Sequence, residues 1–410
     1  MATNTQESGL FDWAVMEDTS AVRAEYAVFD ETLRDGIQAP YVPNPSLEVK
    51  LGLVDLMVRA GVRAADLGFP GASAEARRDC TALAKHVVQR RLPLQVAFAG
   101  RTAPADIAAI CDVAQEAQCA VDAYAFTGSS PIRQAVEGWT LDVMSSRIVE
   151  SAEQCANGGV NFVLVLEDTT RCTPETLSHI YGTAADLGVE RIALCDTVGA
   201  ASPRSTRALV RWSKQWFETR GQSVKFDWHG HNDRGLAVSN SLEAIEAGCD
   251  RVHGTALGVG ERAGNAAIDQ LIVNRRLQFG DDFDLLALRE YCESVSHLLD
   301  QSIPVNYPAM GSEVFKTSAG VHAAAILKAR KTGDRKLMDD IYSSVPASEL
   351  GREQEVGIDW ASGASNVEFW MMQHGHRVNS DAVQRILTFA KSAARPVSDE
   401  EIGRFIAAAA

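Results

Sequence analysis

Residues 186–197 read DLGVERIALCDT, and this stretch carries the pattern that decides the fold. The end of a predicted helix runs into Gly188, a residue that accepts the left-handed backbone with which many helices finish. A short apolar run of strand type follows at once and closes on polar residues. The same order of helix end, small turn and strand recurs around three other glycines: Gly61, Gly159 and Gly248.

Eight runs of this strand type occur along the chain, and their starts lie 36, 31, 26, 41, 30, 33 and 27 residues apart. That spacing fits one strand, one helix and two loops. Alternating strands and amphipathic helices favour an α/β fold with a parallel sheet, and eight units predict a closed (β/α)₈ TIM barrel. An open doubly wound sheet is the alternative. The runs are AVFDETL (27–33), RAADLGF (63–69), LQVAFAG (94–100), AVDAYAF (120–126), NFVLVLED (161–168), RIALCDT (191–197), VKFDWHGHN (224–232) and RVHGTAL (251–257).

The pattern changes after about residue 275, where helical stretches continue without strand runs between them. Two prolines and a glycine in residues 302–315 indicate a connector, and the stretch from 380 to 409 again has a helical pattern. We therefore expect an N-terminal extension over 1–26, a catalytic barrel over 27–275, and a helical lid and C-terminal subdomain over 276–410.

The composition is that of a globular protein with an acidic surface. Of the 410 residues, 46% are hydrophobic and 23% charged, and the formal net charge is −15. An excess of acidic groups repels phosphate backbones and anionic lipid, so neither nucleic acid nor a membrane is expected as a partner. No apolar stretch reaches the ~18 residues of a membrane helix, and the N-terminus has no secretory pattern. The eight cysteines show no metal or disulfide spacing, which favours reduced thiols and a cytoplasmic location.

The seventh run contains the residues most indicative of chemistry, since Asp227, His229 and His231 fall on alternate positions of a strand. Side chains at such positions point the same way, so two imidazoles would share one side of the barrel. Asp35, at the end of the first run, is our choice for a third ligand of a divalent ion. The alternative is a pair of separately hydrogen-bonded histidines.

Other polar residues stand at or near strand ends, where barrel enzymes build their active sites. Arg34 would stabilise an enolate oxygen, unless it only forms a structural salt bridge. Glu167 would position the ion or a water, and Thr197 would bind a substrate carboxylate or merely cap the next helix. Asn265 offers an oxygen ligand. His322 stands in a helical segment, where a lone histidine is more often packed or solvated than functional.

Three motifs together resemble those of the DRE-TIM metallolyase superfamily. Residues 30–38 match D-x-T-L-R-D-G-x-Q, residues 229–240 match H-x-H-N-D-x-G-x-A-x-x-N, and residues 258–265 match G-x-G-E-R-x-G-N of its synthase branch. That branch contains the isopropylmalate, homocitrate and citramalate synthases. The resemblance covers roughly residues 27–330, and the C-terminal region is similar to the helical lid of the synthases.

The resemblance implies a Claisen-type condensation of acetyl-CoA with a 2-oxo acid, giving a 2-hydroxy-2-substituted dicarboxylate and CoA. By position, Arg34 would polarise the keto group, Thr197 would contact the carboxylate, and Gln38 would contact substrate. Glu167 matches an active-site glutamate of the homocitrate synthases. A divalent ion (Zn, Mn, Co or Mg) would be held by Asp35, His229 and His231, with Asn265 close by.

The resemblance also implies a role for the lid, because a lid histidine of the synthases acts at the active site, often that of the partner subunit. His322 stands at that position, so a homodimer with lid exchange is expected. Asp227 matches an acidic partner of this histidine in homocitrate synthases. We expect His322, tuned by Asp227, to take part in removing a proton from the acetyl methyl group.

The motifs point to two kinds of 2-oxo acid. Residues 69–73, FPGAS, resemble the isopropylmalate synthases, which suggests a monoanionic acid of isopropylmalate or citramalate type. Arg133 stands where homocitrate synthases carry an arginine for a distal carboxylate, unless it is only a surface residue. It favours a second anionic group, as in 2-oxoglutarate, oxaloacetate, or a phosphono- or phosphinopyruvate. A retro-Claisen acyl-CoA lyase on the same scaffold is a further alternative.

Overall fold

The computed structural model describes residues 26–280, 283–393 and 395–407. The predicted N-terminal extension, residues 1–26, lies outside these ranges except for Tyr26. The chain forms two compact units: one comprises the chain up to Val54 and Val62–Leu271, the other Asp55–Gly61 and Ile272 onward. The predicted boundary at residue 275 falls within a helix, Ile268–Phe279.

Eight parallel strands form a closed barrel in the first unit, each paired with the next and the last with the first. The prediction of a TIM barrel is therefore confirmed, and the open sheet is wrong. The strands are β1 (Ala27–Asp30), β2 (Ala64–Asp66), β3 (Gln95–Arg101), β4 (Val121–Gly128), β5 (Asn161–Glu167), β6 (Arg191–Asp196), β7 (Lys225–Gly230) and β8 (Arg251–Gly254).

Helices alternate with these strands along the chain, as the repeat predicts. The four glycines expected at helix ends all have positive φ; that of Gly188, for example, is +65°. Its N–H donates to the carbonyl of Ala185, which closes the helix before β6 begins. The helices are α1 (Leu47–Ala60), α2 (Ala74–Arg90), α3 (Pro104–Ala117), α4 (Pro131–Glu137), α5 (Leu141–Gly158), α6 (Pro174–Asp186), α7 (Pro203–Glu218), α8 (Ala237–Glu246) and α9 (Ile268–Phe279).

The barrel is filled by side chains rather than open. A buried apolar cluster contains Phe29, Tyr124 and Val163 with two alanines, and the rings of Phe29 and Tyr124 stack with their centroids 4.8 Å apart. On β7 the alternation predicted from the sequence holds, since Asp227 meets Tyr124 of β4 inside the barrel. Polar groups at the strand ends therefore lie on a solid apolar floor.

The second unit is mainly helical. Its apolar core joins its last three helices through residues such as Trp370, Ile386 and Ile402. A single helical stretch is predicted from 380 to 409, but its described part, to residue 407, is two helices with Pro396 in the break, because the residue before a proline disfavours helix. The elements are α10 (Leu285–Leu298), α11 (Gly320–Thr332), α12 (Arg335–Asp340), α13 (Ala364–Gln373), α14 (Ser380–Ser392), α15 (Asp399–Ala407) and the paired short strands β9 (Lys316–Thr317) and β10 (Glu355–Val356).

Two expectations from composition bear on the whole chain. All eight cysteines are free thiols. Among the described residues, no helix combines the length and apolar character that crossing a bilayer requires.

Candidate active site

A cavity of about 250 Å³ opens at the carboxyl ends of the barrel strands. Strands β2 to β8 contribute to its wall directly, and β1 contributes through the three residues Glu31, Arg34 and Asp35 that follow it. Because parallel strands all present their carboxyl ends on one side, residues far apart in sequence meet here.

The three side chains proposed from the sequence as metal ligands lie together in this wall. The Nε2 atoms of His229 and His231 are 3.7 Å and 3.5 Å from Oδ2 of Asp35. One ligand atom from each residue lies within 4.8 Å of the others, and all three residues are buried. This separation leaves room for one ion bound by all three.

The chemistry of this set fits a divalent cation. Nδ2 of Asn265 donates to Oδ2 of Asp35 at 2.5 Å, which brings a neutral amide to the same point. Oδ1 of Asn265 is buried and has no partner among the described residues, an arrangement that costs free energy unless another group satisfies it. Two imidazoles, a carboxylate and an amide oxygen together suit Zn, Mn, Co or Mg.

Arg34 is held in one orientation by three acidic side chains. Its guanidinium nitrogens lie 2.5 Å from Glu31, 2.8 Å from Asp35 and 3.0 Å from Asp66. Burial would raise the pKa of Asp35, but the charges of Arg34 and His229 hold it below its usual value. The carboxylate beside the imidazoles is therefore ionised and ready to bind a cation.

Two residues that sequence reasoning missed complete this cluster. Oε2 of Glu31 accepts from Nδ1 of His229 at 2.6 Å, and Nδ1 of His253 lies 3.3 Å from Oε1 of Glu31. Glu31 stands at the variable position of the first motif, and His253 lies within the eighth strand run. The only sequence feature that could have identified them is their polarity within predicted barrel strands. Burying a polar side chain there costs free energy unless it has hydrogen-bond partners.

Glu167 lies in the cavity wall and is paired with Arg133. Nε of Arg133 is 3.0 Å from Oε1 of Glu167, and its other end reaches Glu137 at 3.2 Å. Burial raises the pKa of Glu167, against the opposing effect of Arg133. The arginine itself does not line the cavity, and its contact with the cavity wall is through Glu167.

Thr197 also lines the cavity, and its hydroxyl accepts from the backbone N–H of Asp168 at 2.8 Å. Its carbonyl accepts from Arg262 at 2.7 Å, and Arg262 in turn pairs with Asp233 at 2.9 Å. Arg262 is a second cation in the wall that sequence reasoning did not single out. Thr197 thus joins the loops after β5, β6 and β8, and its hydroxyl hydrogen is left for a ligand.

Gln38 lies in a short 3₁₀-helix, Gly36–Gln38, and faces a different space. It lines a second cavity of about 140 Å³, which shares Arg34 with the first. The floor of this second cavity includes Lys50, whose Nζ donates to Asp79 at 2.7 Å and to Asn44 at 3.0 Å. Arg34 therefore forms a wall common to both cavities.

Asp227 is fully buried and does not line the cavity. Its oxygens accept from Tyr124 at 2.9 Å, from His253 at 3.1 Å and from Arg251 at 3.1 Å, and Arg191 adds a fourth contact. Burial would raise the pKa of Asp227, but Arg251 and His253 hold it well below its usual value. Asp227 is a permanently ionised group among these four partners.

His322 lies in the second unit, in the first turn of α11. Its side chain is exposed, and its ring centroid is 4.3 Å from that of Tyr342. Its expected action at the active site, and its tuning by Asp227, stay predictions.

Comparison with protein-family models identifies residues 25–295 with the family described as HMGL-like. The chain belongs to the HMGL-like family. Among curated relatives, it is 29% identical to the homocitrate synthase AksA of Methanopyrus kandleri over 90% of this chain and 87% of the relative. It is also 29% identical to a probable 2-isopropylmalate synthase of Ignicoccus hospitalis, over 92% and 90% of the two chains. The predicted resemblance to the synthase branch is confirmed.

A solved structure agrees with the barrel. The HMG-CoA lyase of Bacillus subtilis superimposes with a TM-score of 0.58 at 18% identity, over 68% of this chain and 95% of that one. At this level of identity the likeness establishes the fold alone.

Proposed function

We propose that this HMGL-like protein is a metal-dependent acyltransferase that condenses acetyl-CoA with a 2-oxo acid. The observation that carries the proposal is the position of Arg34. Its guanidinium is fixed beside Asp35, which in turn lies between two buried imidazoles at the mouth of the barrel. A cation site next to a rigid arginine suits the binding and polarisation of a 2-oxo carboxylate.

Asp35, His229 and His231, with Asn265, are the residues that would hold the ion. When bound, a divalent ion supplies Lewis-acid polarisation of the keto oxygen. Arg34 adds hydrogen-bond donors for the oxygen that becomes negative as the new carbon–carbon bond forms. Because three acidic side chains already fix its orientation, little reorganisation is needed when that charge develops.

The remaining groups would orient the acid and move the proton. Thr197 donates its hydroxyl to the substrate carboxylate, and Glu167 positions the acid or a water. We propose His322, of the same or the partner subunit, as the base that takes a proton from the acetyl methyl group. The resulting carbon nucleophile attacks the keto carbon, and hydrolysis of the thioester then releases CoA.

We assign the second cavity to the acetyl end of acetyl-CoA. It adjoins the first along Arg34, and its lining combines apolar side chains such as Leu67 and Phe69 with polar ones that include Gln38. Binding of the thioester there would bring the acetyl group to the guanidinium that also contacts the oxo acid. Gln38 is then the residue that contacts the acyl donor.

Two kinds of oxo acid are candidate substrates. We favour an acid with a second carboxylate, such as 2-oxoglutarate or oxaloacetate, because Arg133 lies directly behind Glu167, which lines the cavity. A specific observation favours the second candidate, a monoanionic acid of isopropylmalate or citramalate type. Ala99, Phe126 and Val165 make part of the same wall apolar.

A thiol-release screen tests these candidates. Metal-depleted protein is supplied with Zn, Mn, Co or Mg and with acetyl-CoA, and free CoA is measured with pyruvate, 2-oxoisovalerate, oxaloacetate, 2-oxoglutarate and phosphonopyruvate. Release that depends on both an ion and one acid supports the synthase. Absence of release with every pair would contradict it, and cleavage of a 3-hydroxyacyl-CoA would instead indicate the lyase alternative. A purely structural metal site predicts an effect of the ion on stability without turnover.

A further inference from the structure

Glu31 connects the two parts of the proposed site with a single carboxylate. One oxygen accepts from Nδ1 of His229 at 2.6 Å, and the other accepts from Arg34 at 2.5 Å. Glu31 is 2% exposed, so these contacts are shielded from bulk water. Any movement of this carboxylate would disturb a metal-binding imidazole and the guanidinium together.

A series of buried groups lies behind Glu31. Nδ1 of His253 lies 3.3 Å from Oε1 of Glu31, and its Nε2 lies 3.1 Å from Oδ2 of Asp227. The ring of His253 packs on Phe29, the residue beside it across β1 and β8, with centroids 4.5 Å apart. Asp227 is anchored in its turn by Arg251 at 3.1 Å. Asp227, His253 and Glu31 therefore form a continuous series from the barrel interior to the cavity, and all three are buried.

We infer that Glu31 is a positioning residue that fixes His229 and Arg34 for metal and substrate binding, and that His253 and Asp227 hold Glu31 in place. The inference rests on the proposed function, because it takes His229 as a metal ligand. It gives Asp227 a structural role in the barrel interior, which its contacts with His253 and Arg251 support.

The hydrogen bond to Glu31 determines which nitrogen of His229 is available. With Nδ1–H donated to the carboxylate, the lone pair is on Nε2, the atom that lies 3.7 Å from Asp35. A carboxylate in this position orients a ligating imidazole and makes it a stronger base, and losing such a partner typically weakens metal binding about 10- to 100-fold.

The same residues are not a second metal site. Ligand atoms of Glu31, His229 and His253 also lie within 4.8 Å of one another. However, both oxygens of Glu31 already accept hydrogen bonds, and one of them pairs with the cation Arg34. An ion placed there would have to displace the guanidinium and would repel its charge. The inference therefore requires one ion per chain.

Metal affinity tests the inference apart from turnover. Zn²⁺ and Co²⁺ are titrated into chelator-treated native protein, Glu31→Gln and Asp122→Asn, with a competing chelator dye for affinity and the visible Co²⁺ spectrum for geometry. Asp122→Asn is the matched control, since Asp122 is a buried barrel carboxylate that hydrogen-bonds Gln95 and Asn161 instead. We expect Glu31→Gln to bind about 10- to 100-fold more weakly with an altered Co²⁺ spectrum, while Asp122→Asn changes affinity less than about threefold.

The outcomes separate the inference from the function on which it rests. Native protein that binds one ion, with Glu31→Gln binding equally well, would overturn the inference and leave the proposed function intact. Two ions per native chain would likewise overturn it. Native protein that binds no ion would contradict the proposed function itself and the inference with it. If Glu31→Gln does not fold, Glu31→Asp keeps the charge but shortens the side chain, and it too should weaken metal binding.

Discussion

Nε of Arg133 lies 3.0 Å from Oε1 of Glu167, so the cation at the start of α4 meets the cavity through a carboxylate of β5. A substrate with a second carboxylate would compete with Glu167 for this guanidinium. In the proposed function, this pair is therefore where a second carboxylate of the oxo acid would bind.

Replacing Arg133 by alanine should separate the two classes of oxo acid. A hydrogen bond to a charged partner contributes about 1.5–3 kcal/mol, which corresponds to about 10- to 100-fold in kcat/KM for 2-oxoglutarate or oxaloacetate. Pyruvate and 2-oxoisovalerate should change less than about threefold, because they have no second charge to lose. Steady-state CoA release measures both, with Arg77→Ala as the control for loss of an exposed arginine paired with carboxylates. An unchanged rate with the dianionic acids would rule out this role.

Replacing Arg34 by lysine should remove catalysis while leaving the ion in place. Lysine keeps the charge but cannot reach Glu31, Asp35 and Asp66 at once with a planar group. We expect kcat to fall about 10²- to 10³-fold, the usual cost of losing a donor to a developing oxyanion. Metal affinity, measured in parallel by chelator competition, should change far less. A variant with near-native kcat would show that this guanidinium is structural.

Asp66 should give the folded protein a pH dependence near neutrality. Burial raises the pKa of Asp66 to about 7, although Arg34 acts in the opposite direction. The native state therefore keeps a proton at pH values where the unfolded chain has already lost it. The free energy of unfolding accordingly falls as the pH rises through about 7. Urea unfolding with a chelator present, at several values from pH 5 to 8, should show native protein losing more stability than Asp66→Asn. Parallel curves for the two proteins would contradict this assignment.

Mixing two inactive variants should show which subunit supplies His322. His322→Ala lacks the proposed base, and Asp35→Ala lacks a proposed metal ligand. If the lid is exchanged in a homodimer, a random mixture regains about a quarter of native activity, since half the dimers are mixed and each has one complete site. Each variant alone serves as the control. No recovery after subunit exchange, verified by differently tagged chains, would place His322 in its own subunit or outside the mechanism.

The sequence predicts the barrel and the cluster of Asp35, His229 and His231 because both follow from local periodicity. Strand alternation orients β7 by itself, and parallel strands bring all their carboxyl ends together. These features need no knowledge of which strand neighbours which. Membership of the synthase branch could likewise be predicted from motifs that are continuous in the chain.

Glu31 and His253 could not be predicted in the same way. Their contact depends on the register that closes the ring, which places Phe29 of β1 beside His253 of β8 although the two residues are 224 positions apart in the chain. The pairing of Arg133 with Glu167 likewise depends on how α4 leaves β4. In the second unit, β9 and β10 have two residues each, too few for alternation to be visible.

The stacked rings of Phe29 and Tyr124 close the interior of the barrel, so that the cavity opens only at the carboxyl ends of the strands. In the proposed condensation, both reactants would reach Arg34 from the same side of the barrel, and a bulky thioester bound there would block a small acid that arrived later. The proposed function therefore predicts a compulsory order, in which the acid binds first and acetyl-CoA second. Free CoA should accordingly inhibit competitively with respect to acetyl-CoA, and not with respect to the acid.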